Sequence, residues 1–381
     1  MSKKEKKQKR NLLADQSQYE EYKNSIPEDE IWTYKIDGLQ EPHISKTFDN
    51  ARTKKIIVVI TLVIAIGIAM FFSVRVVHNE TFKYQELPDG TYELVKFSNP
   101  GDITEITVDF ADNDPDKPIS VIHEYAFNCD EKITKISIGK DVREIAGNSI
   151  YSCYSLKEIE VDPQNEAYMS DDGVLYDKDQ TVLITYPIDR DLYLREKYGY
   201  DKQYWPEDPE YDDAYLEKIN TYKVPETVRT IGMLAFNYSE LFRIYLPEGL
   251  ETIETMAFFR NWHIEDYYTY DGDTVYPSLP ESLKTIGSDA FNSNQQVGYI
   301  FIPASVTEIG HHAFWNAAYK EDGELKGINV VNVARSVEDF NADVVTGDLW
   351  TGQYDKGAFP RNIPVNYSAV RLSLEEYEEK G

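Results

Sequence analysis

A repeat solenoid of mainly β, or α/β, class is predicted by three observations: a recurring phrase, an alternating apolar pair between its copies, and one long uncharged run ahead of both. The phrase is Ile-Gly-x-x-Ala-Phe or a near copy. It stands as Ile122-His-Glu-Tyr-Ala126-Phe127, Ile145-Ala-Gly-Asn-Ser149-Ile150, Ile231-Gly-Met-Leu-Ala235-Phe236, Ile253-Glu-Thr-Met-Ala257-Phe258, Ile286-Gly-Ser-Asp-Ala290-Phe291 and Ile309-Gly-His-His-Ala313-Phe314. Phe127 to Ile150 is 23 residues, Phe236 to Phe258 is 22, and Phe291 to Phe314 is 23. Self-similarity at that period marks stacked coils.

In chain order, residues 1–55 read as a basic, disordered tail opening on Lys3, Lys4, Lys6, Lys7, Lys9 and Arg10, a run suited to anionic lipid or to plain solvation. Ile56 to Val74 carries no charge over 19 residues. At about 1.5 Å per residue it spans about 28 Å, close to a hydrocarbon core of about 30 Å. A transmembrane signal anchor over 56–77 is expected, contacting lipid at 56–74, because no small-x-small cleavage site follows. Lys46, Arg52, Lys54 and Lys55 outweigh Arg75 and Lys83 across the run, which puts the amino terminus in the cytoplasm and the repeats outside the cell. The tail's aromatic stretch Glu30 to Leu39 reads as either a strand-adding motif or a collapsed juxtamembrane segment.

Residues 78–118 read as an N-terminal cap and first coil, with Gly90 to Phe97 as a strand that covers the open edge. Over 119–330 the alternating pairs Ile136/Ile138, Ile159/Val161, Tyr222/Val224, Ile244/Leu246, Ile300/Ile302 and Ile328/Val330 predict short strands with one buried face. With Ile106/Val108, and a coil ending at Leu279 that keeps one member of its pair, the count is about eight coils. Pro225, Pro247, Pro280 and Pro303 end the strands, since proline has no amide hydrogen to donate. The small Gly and Ala of the phrase allow close approach between coils that together form one continuous core. Insertions break the period at 162–221, 265–276 and 318–326, the last two just before a strand and so on one edge of the array. Residues 331–381 read as a C-terminal cap.

The stretches Asp102-Ile-Thr-Glu-Ile106-Thr-Val108 through Phe127, Ile302-Pro-Ala-Ser-Val-Thr-Glu-Ile-Gly-His-His-Ala-Phe314, and Asp172-Gly-Val-Leu-Tyr-Asp-Lys-Asp179 resemble the BspA-type leucine-rich repeat family over roughly residues 90 to 330. The resemblance implies a leucine-rich-repeat array on a bacterial surface that binds host or microbial proteins, with no shared catalytic residues.

Function classes narrow accordingly. The tail's 12 basic and 10 acidic residues net +2, so the whole-chain −28 leaves −30 for residues 75–381, which repels nucleic acid. No P-loop, His-Glu-x-x-His or Gly-x-Ser-x-Gly occurs, so no enzyme, cofactor or catalytic residue is expected. His311-His312 reads as a surface pair, since adjacent residues on an extended segment diverge. Asp112-Asn-Asp114-Pro-Asp116 lacks the glycine and glutamate of a calcium loop. Cys129 and Cys153 follow the phrase in adjacent coils with a one-residue offset, leaving a disulfide and two buried thiols both open.

Binding is therefore sought where the period fails. Tyr198, Tyr200, Tyr204, Trp205, Tyr211 and Tyr215 in the first insertion, Tyr267, Tyr268 and Tyr270 in the second and Tyr319 in the third are the candidate partner-binding residues, interleaved with Asp and Glu. Tyr and Trp combine large contact area with a polar tip, which suits a protein ligand. Packing back onto the array is the competing reading, and stacking on an envelope glycan or peptidoglycan the alternative use.

Overall fold

The structure is a computed structural model that describes residues 81–99, 101–127, 130–206, 208, 210–315, 318–321, 324–327, 330–347, 359 and 365–379. The expected anchor, the tail before it, Cys129 and part of the expected C-terminal cap lie outside the described residues. Among those described, no helix is long and apolar enough to cross a membrane. Strands dominate; the helices are short, at Arg190–Tyr198, Asp213–Ile219, Val337–Asp343 and Leu374–Glu378, with one 3-10 turn at Ala111–Asn113.

The alternating pairs form one set of parallel ladders. Ile106, Ile136 and Ile159 are in register, as are Val108, Ile138 and Val161. A second ladder joins Thr221–Lys223, Arg243–Pro247 and Asp266–Asp271, and a third joins Ile300–Ile302, Val331–Val333 and Val365–Tyr367. The isoleucines of the phrase form another set, in which Ile231, Ile253, Ile286 and Ile309 align across neighbouring coils. All are buried, because every coil offers its apolar set to the next. At the amino end, Tyr92–Phe97 runs parallel to Ile119–Ile122 and is covered in turn by antiparallel Phe82–Glu86.

The phrase itself is a turn that hydrogen-bonds coil to coil. The amide of its Phe donates to a carbonyl of the next coil: Phe127 to Ser149, Phe236 to Ala257, Phe258 to Ala290, and Phe291 to Ala313, at 2.7–2.8 Å. The residue before Ala takes a positive φ of 54–59° at Tyr125, Leu234, Met256, Asp289 and His312, without glycine. Glycine is needed two residues earlier in two coils. A Cβ at Gly287 would overlap the Glu254 carbonyl carbon and the Thr255 nitrogen, and one at Gly310 would overlap the backbone of Gly287 and Ser288. Behind the turns the rings stack: Phe236, Phe258, Phe291 and Phe314 follow one another with centroids 5.1–5.3 Å apart, Tyr186 and Phe359 extending the row at its ends.

Three expectations are corrected. The core is two clusters, divided by the antiparallel strands Tyr168–Asp171, Val174–Asp177 and Val182–Thr185. Alternation makes this sheet two-sided: Tyr168, Leu175 and Ile184 face the amino-terminal cluster, while Met169, Val174, Tyr176 and Leu183 face the other. Second, Asp266–Asp271 is that coil's own strand, in register with Arg243–Pro247, and the extra residues form the return strand Thr274–Tyr276. That insertion follows its strand, whereas the hairpin Ala318–Glu321 and Glu324–Gly327 precedes the strand Val331–Val333. Third, where Ile328 and Val330 were expected as the inward pair, the residues in register with Ile300 and Ile302 are Val331 and Val333, Ile328 lying outside the described residues, and the ladders continue past them at Val345–Gly347 and Val365–Tyr367.

Candidate functional site

The first insertion folds into two helices that pack on the array. Gly199, in the left-handed conformation at φ 79°, ends Arg190–Tyr198, and the Asp212 side chain caps Asp213–Ile219 by accepting from the Tyr215 amide at 2.8 Å. Between the helices Tyr215 is fully buried. The rings of Tyr200, Tyr204 and Tyr211 surround it at 4.9, 5.1 and 5.5 Å, and its hydroxyl accepts from the Tyr204 amide. Trp205 anchors the unit by resting on His263 and Phe242, at 5.1 and 6.2 Å.

Most residues expected at a binding surface are thus structural. Tyr215, Tyr267, Tyr268 and Tyr270 are buried, and the structure corrects their placement at a surface. Tyr267 takes the inward position of its strand, Tyr268 stacks on Tyr245, and Tyr270 donates to the Val224 carbonyl at 2.6 Å. Tyr200, Tyr204 and Tyr211 are half-buried against the insertion's own core, and Trp205 is half-buried against the array. Tyr198 is 47 % exposed, with the ammonium groups of Lys197 and Lys218 near its ring. Tyr319 lies in the strand Ala318–Glu321, but its side chain is outside the described residues.

Charge gathers where the insertion meets the array. Asp172, although desolvated, is held below the usual carboxylate range by Lys197 and Arg190. Asp189 is pushed up to about 7 by desolvation and by Asp191. Glu240 is also pushed up to about 7, by desolvation and by Asp191 and Asp189, while burial lowers His263, 3.3 Å from Glu240. Burial thus disfavours the charged form of both members of this contact. Cys153 is buried with its thiol directed at the Phe127 carbonyl, 3.1 Å away. Among the described residues, no group of three metal-ligating side chains is placed to hold a metal.

An aromatic row that sequence reasoning missed runs along the turns. Tyr151, Phe259 and Trp315 stand one residue after the phrase, Tyr238 and Arg260 two after it, and Tyr154 and Trp262 four after it. Tyr125 meets Tyr151, Tyr154 meets Tyr238 at 5.3 Å, and Tyr238 meets Phe259 and Trp262. The Arg260 guanidinium lies by both the Tyr238 and Phe259 rings and bonds the Tyr238 hydroxyl. Tyr125, Tyr154 and Trp315 are 49, 40 and 40 % exposed. The signal was present as columns of Tyr, Phe and Trp when the coils are aligned on the phrase, but a search of the interruptions passes over it.

In-register parallel strands, joined by Ile-Gly turns and backed by a phenylalanine row, define a leucine-rich-repeat protein. The profile of the BspA type leucine rich repeat region matches residues 45–172 and 213–321 in six copies, and the chain belongs to that family. The unmatched gap coincides with most of the two-sided sheet and the first helix of the insertion. Among solved structures, the pneumococcal vaccine antigen PcpA is similar at 20 % identity and a TM-score of 0.42, over 73 % of this chain and 64 % of that one. A leucine-rich repeat protein from Eubacterium ventriosum is similar at 14 % identity and a TM-score of 0.41, over 78 % and 95 %. A leucine rich cell surface protein from Faecalibacterium prausnitzii gives 24 % identity and a TM-score of 0.37, over 64 % and 61 %. No curated protein sequence matches the chain. Family membership points to protein interaction, and leucine-rich-repeat proteins are generally binding proteins rather than enzymes.

Proposed function

We propose that this chain is a single-pass cell-surface protein, anchored through residues 56–74 with its tail in the cytoplasm, whose repeat solenoid binds a protein ligand. The observation that carries the binding reading is the turn-edge aromatic row, exposed at Tyr125, Tyr154 and Trp315 and half-buried at Tyr238, Arg260 and Trp262. Interface centres are enriched in Tyr, Trp, Phe and Arg and poor in Lys, Glu and Asp. That composition departs from a chain that is 28 % charged.

Photo-crosslinking from position 154 on live cells tests the reading. A defined protein is captured, and capture falls at least tenfold when Tyr238, Trp262 and Trp315 are changed to Ala. Unchanged capture by that variant removes the row as the site, and capture of wall polysaccharide alone replaces the protein ligand with a glycan. Protease treatment of the same cells removes the repeats and spares the tail. Protected repeats overturn the topology.

A further inference from the structure

The outward side of the strand ladders carries its own occupant. Alternation turns Arg243, Tyr245, Asp266 and Tyr268 outward. After the strand Val365–Tyr367 the chain turns back across this side. Arg371 lies over the Tyr276 ring at 3.9 Å, donates from Nε to the buried Ser278 hydroxyl at 2.8 Å, and pairs with Glu248 at 3.2 Å and Glu281 at 3.9 Å. Six residues on, the Tyr377 hydroxyl donates to Asp266 at 2.5 Å while its ring meets Tyr299 at 5.4 Å.

These are two well-made anchors on an otherwise poor fit. The helix that carries the second anchor, Leu374–Glu378, buries no residue, and Val370 is 79 % exposed. The segment also carries exposed Glu375, Glu376, Glu378 and Glu379, with Glu376 capping its helix by accepting from the Ser373 amide, past a face that already holds Glu248, Asp266 and Glu281. On a chain whose residues 75–381 carry a net −30, added carboxylates are repelled and cations at the same positions attracted.

We propose that residues 371–379 are an internal stand-in for a partner segment, and that this face binds a basic peptide segment of another protein carrying an arginine and, six residues later, a tyrosine. The arginine takes the Tyr276, Glu248 and Glu281 site, the tyrosine takes the Asp266 and Tyr299 site, and lysines replace the four repelling glutamates. The proposal concerns a face separate from the turn-edge row and does not rest on it.

The probe is a labelled peptide of residues 370–379 with its four glutamates changed to lysine, titrated by fluorescence anisotropy against the full chain and against the chain ending at Val370. The shortened chain binds at least tenfold more tightly, and E248Q with D266N in it reverses that gain. Because shortening could disturb the last strand, R371A with Y377F in the full chain is the second form, and it reproduces the gain. Equal binding with and without the segment, no binding to any form, or equal binding of a peptide with the same residues scrambled overturns the proposal.

Discussion

Phe291 is the residue at which the logic of the stacked rings is most exposed to test. It is 1 % exposed, with Phe258 and Phe314 stacked on its two sides at 5.3 and 5.1 Å and Tyr267 edge-on at 5.0 Å. Phe→Ala in a packed core costs about 3–5 kcal/mol through lost transfer energy and the cavity left behind. Ring pairs contribute about 0.5–1.5 kcal/mol each beyond their area, so three partners place Phe291→Ala near the top of that range. Phe291→Leu keeps most of the apolar volume and loses the ring contacts, for about 2 kcal/mol. Domain stabilities are about 5–15 kcal/mol, so the alanine variant is severely weakened. The loss is also local, because Phe291 belongs to the cluster beyond the two-sided sheet. Hydrogen exchange should report lost amide protection at Arg243–Pro247 and Ile300–Ile302 and near-native protection at Lys135–Ile138. A loss under about 1 kcal/mol for the alanine variant, or an equal loss of protection in both clusters, refutes the reasoning.

Gly287→Ala and Gly310→Ala should each cost about 1–3 kcal/mol or more by overpacking, read as a fall in melting temperature; Gly272→Ala, where nothing lies near the added carbon, serves as the comparison, with only its positive φ to strain. Tyr215→Ala should open the helical insertion while the array stays folded, so limited proteolysis cuts between residues 190 and 219 first; cleavage elsewhere at the same rate counts against it. The acids Asp189 and Glu240 have folded pKa values raised to about 7, so the folded state binds more protons than the unfolded state between about pH 4 and 7. Stability should therefore fall as pH rises through that window, and Asp189→Asn with Glu240→Gln should flatten the urea midpoint against pH. A wild-type profile that instead rises from pH 5 to 8 would sink this assignment.

The repeat was legible wherever its inward pair was aliphatic. Ile106, Ile136 and Ile159 announced both strand and register, because alternation and period agreed. The coil at Asp266–Asp271 hid because its inward residues are Tyr267 and Thr269, and a polar hydroxyl breaks an apolar pattern. Its burial is tolerated because Thr269 donates to the Ser278 carbonyl and Tyr267 to Asn294. The aromatic insertion was legible as unusual but not as a surface or a core. Composition is the same in both cases, and only the ring contacts around Tyr215 decide between them. Division of the core was invisible for a related reason, since Val174, Leu175 and Tyr176 read as one apolar run, which says that both faces of the strand are buried but not that they are buried in separate clusters.

That strand has a role as a phase lock between the halves of the array. Leu175 belongs to one cluster and Val174 and Tyr176 to the other, so shifting the strand by one residue would send Leu175 across and take Tyr176 from its hydroxyl contact with Tyr222. Coils on either side can gain or lose residues at their turns without disturbing one another. Here a single inserted or deleted residue would put both halves out of step at once.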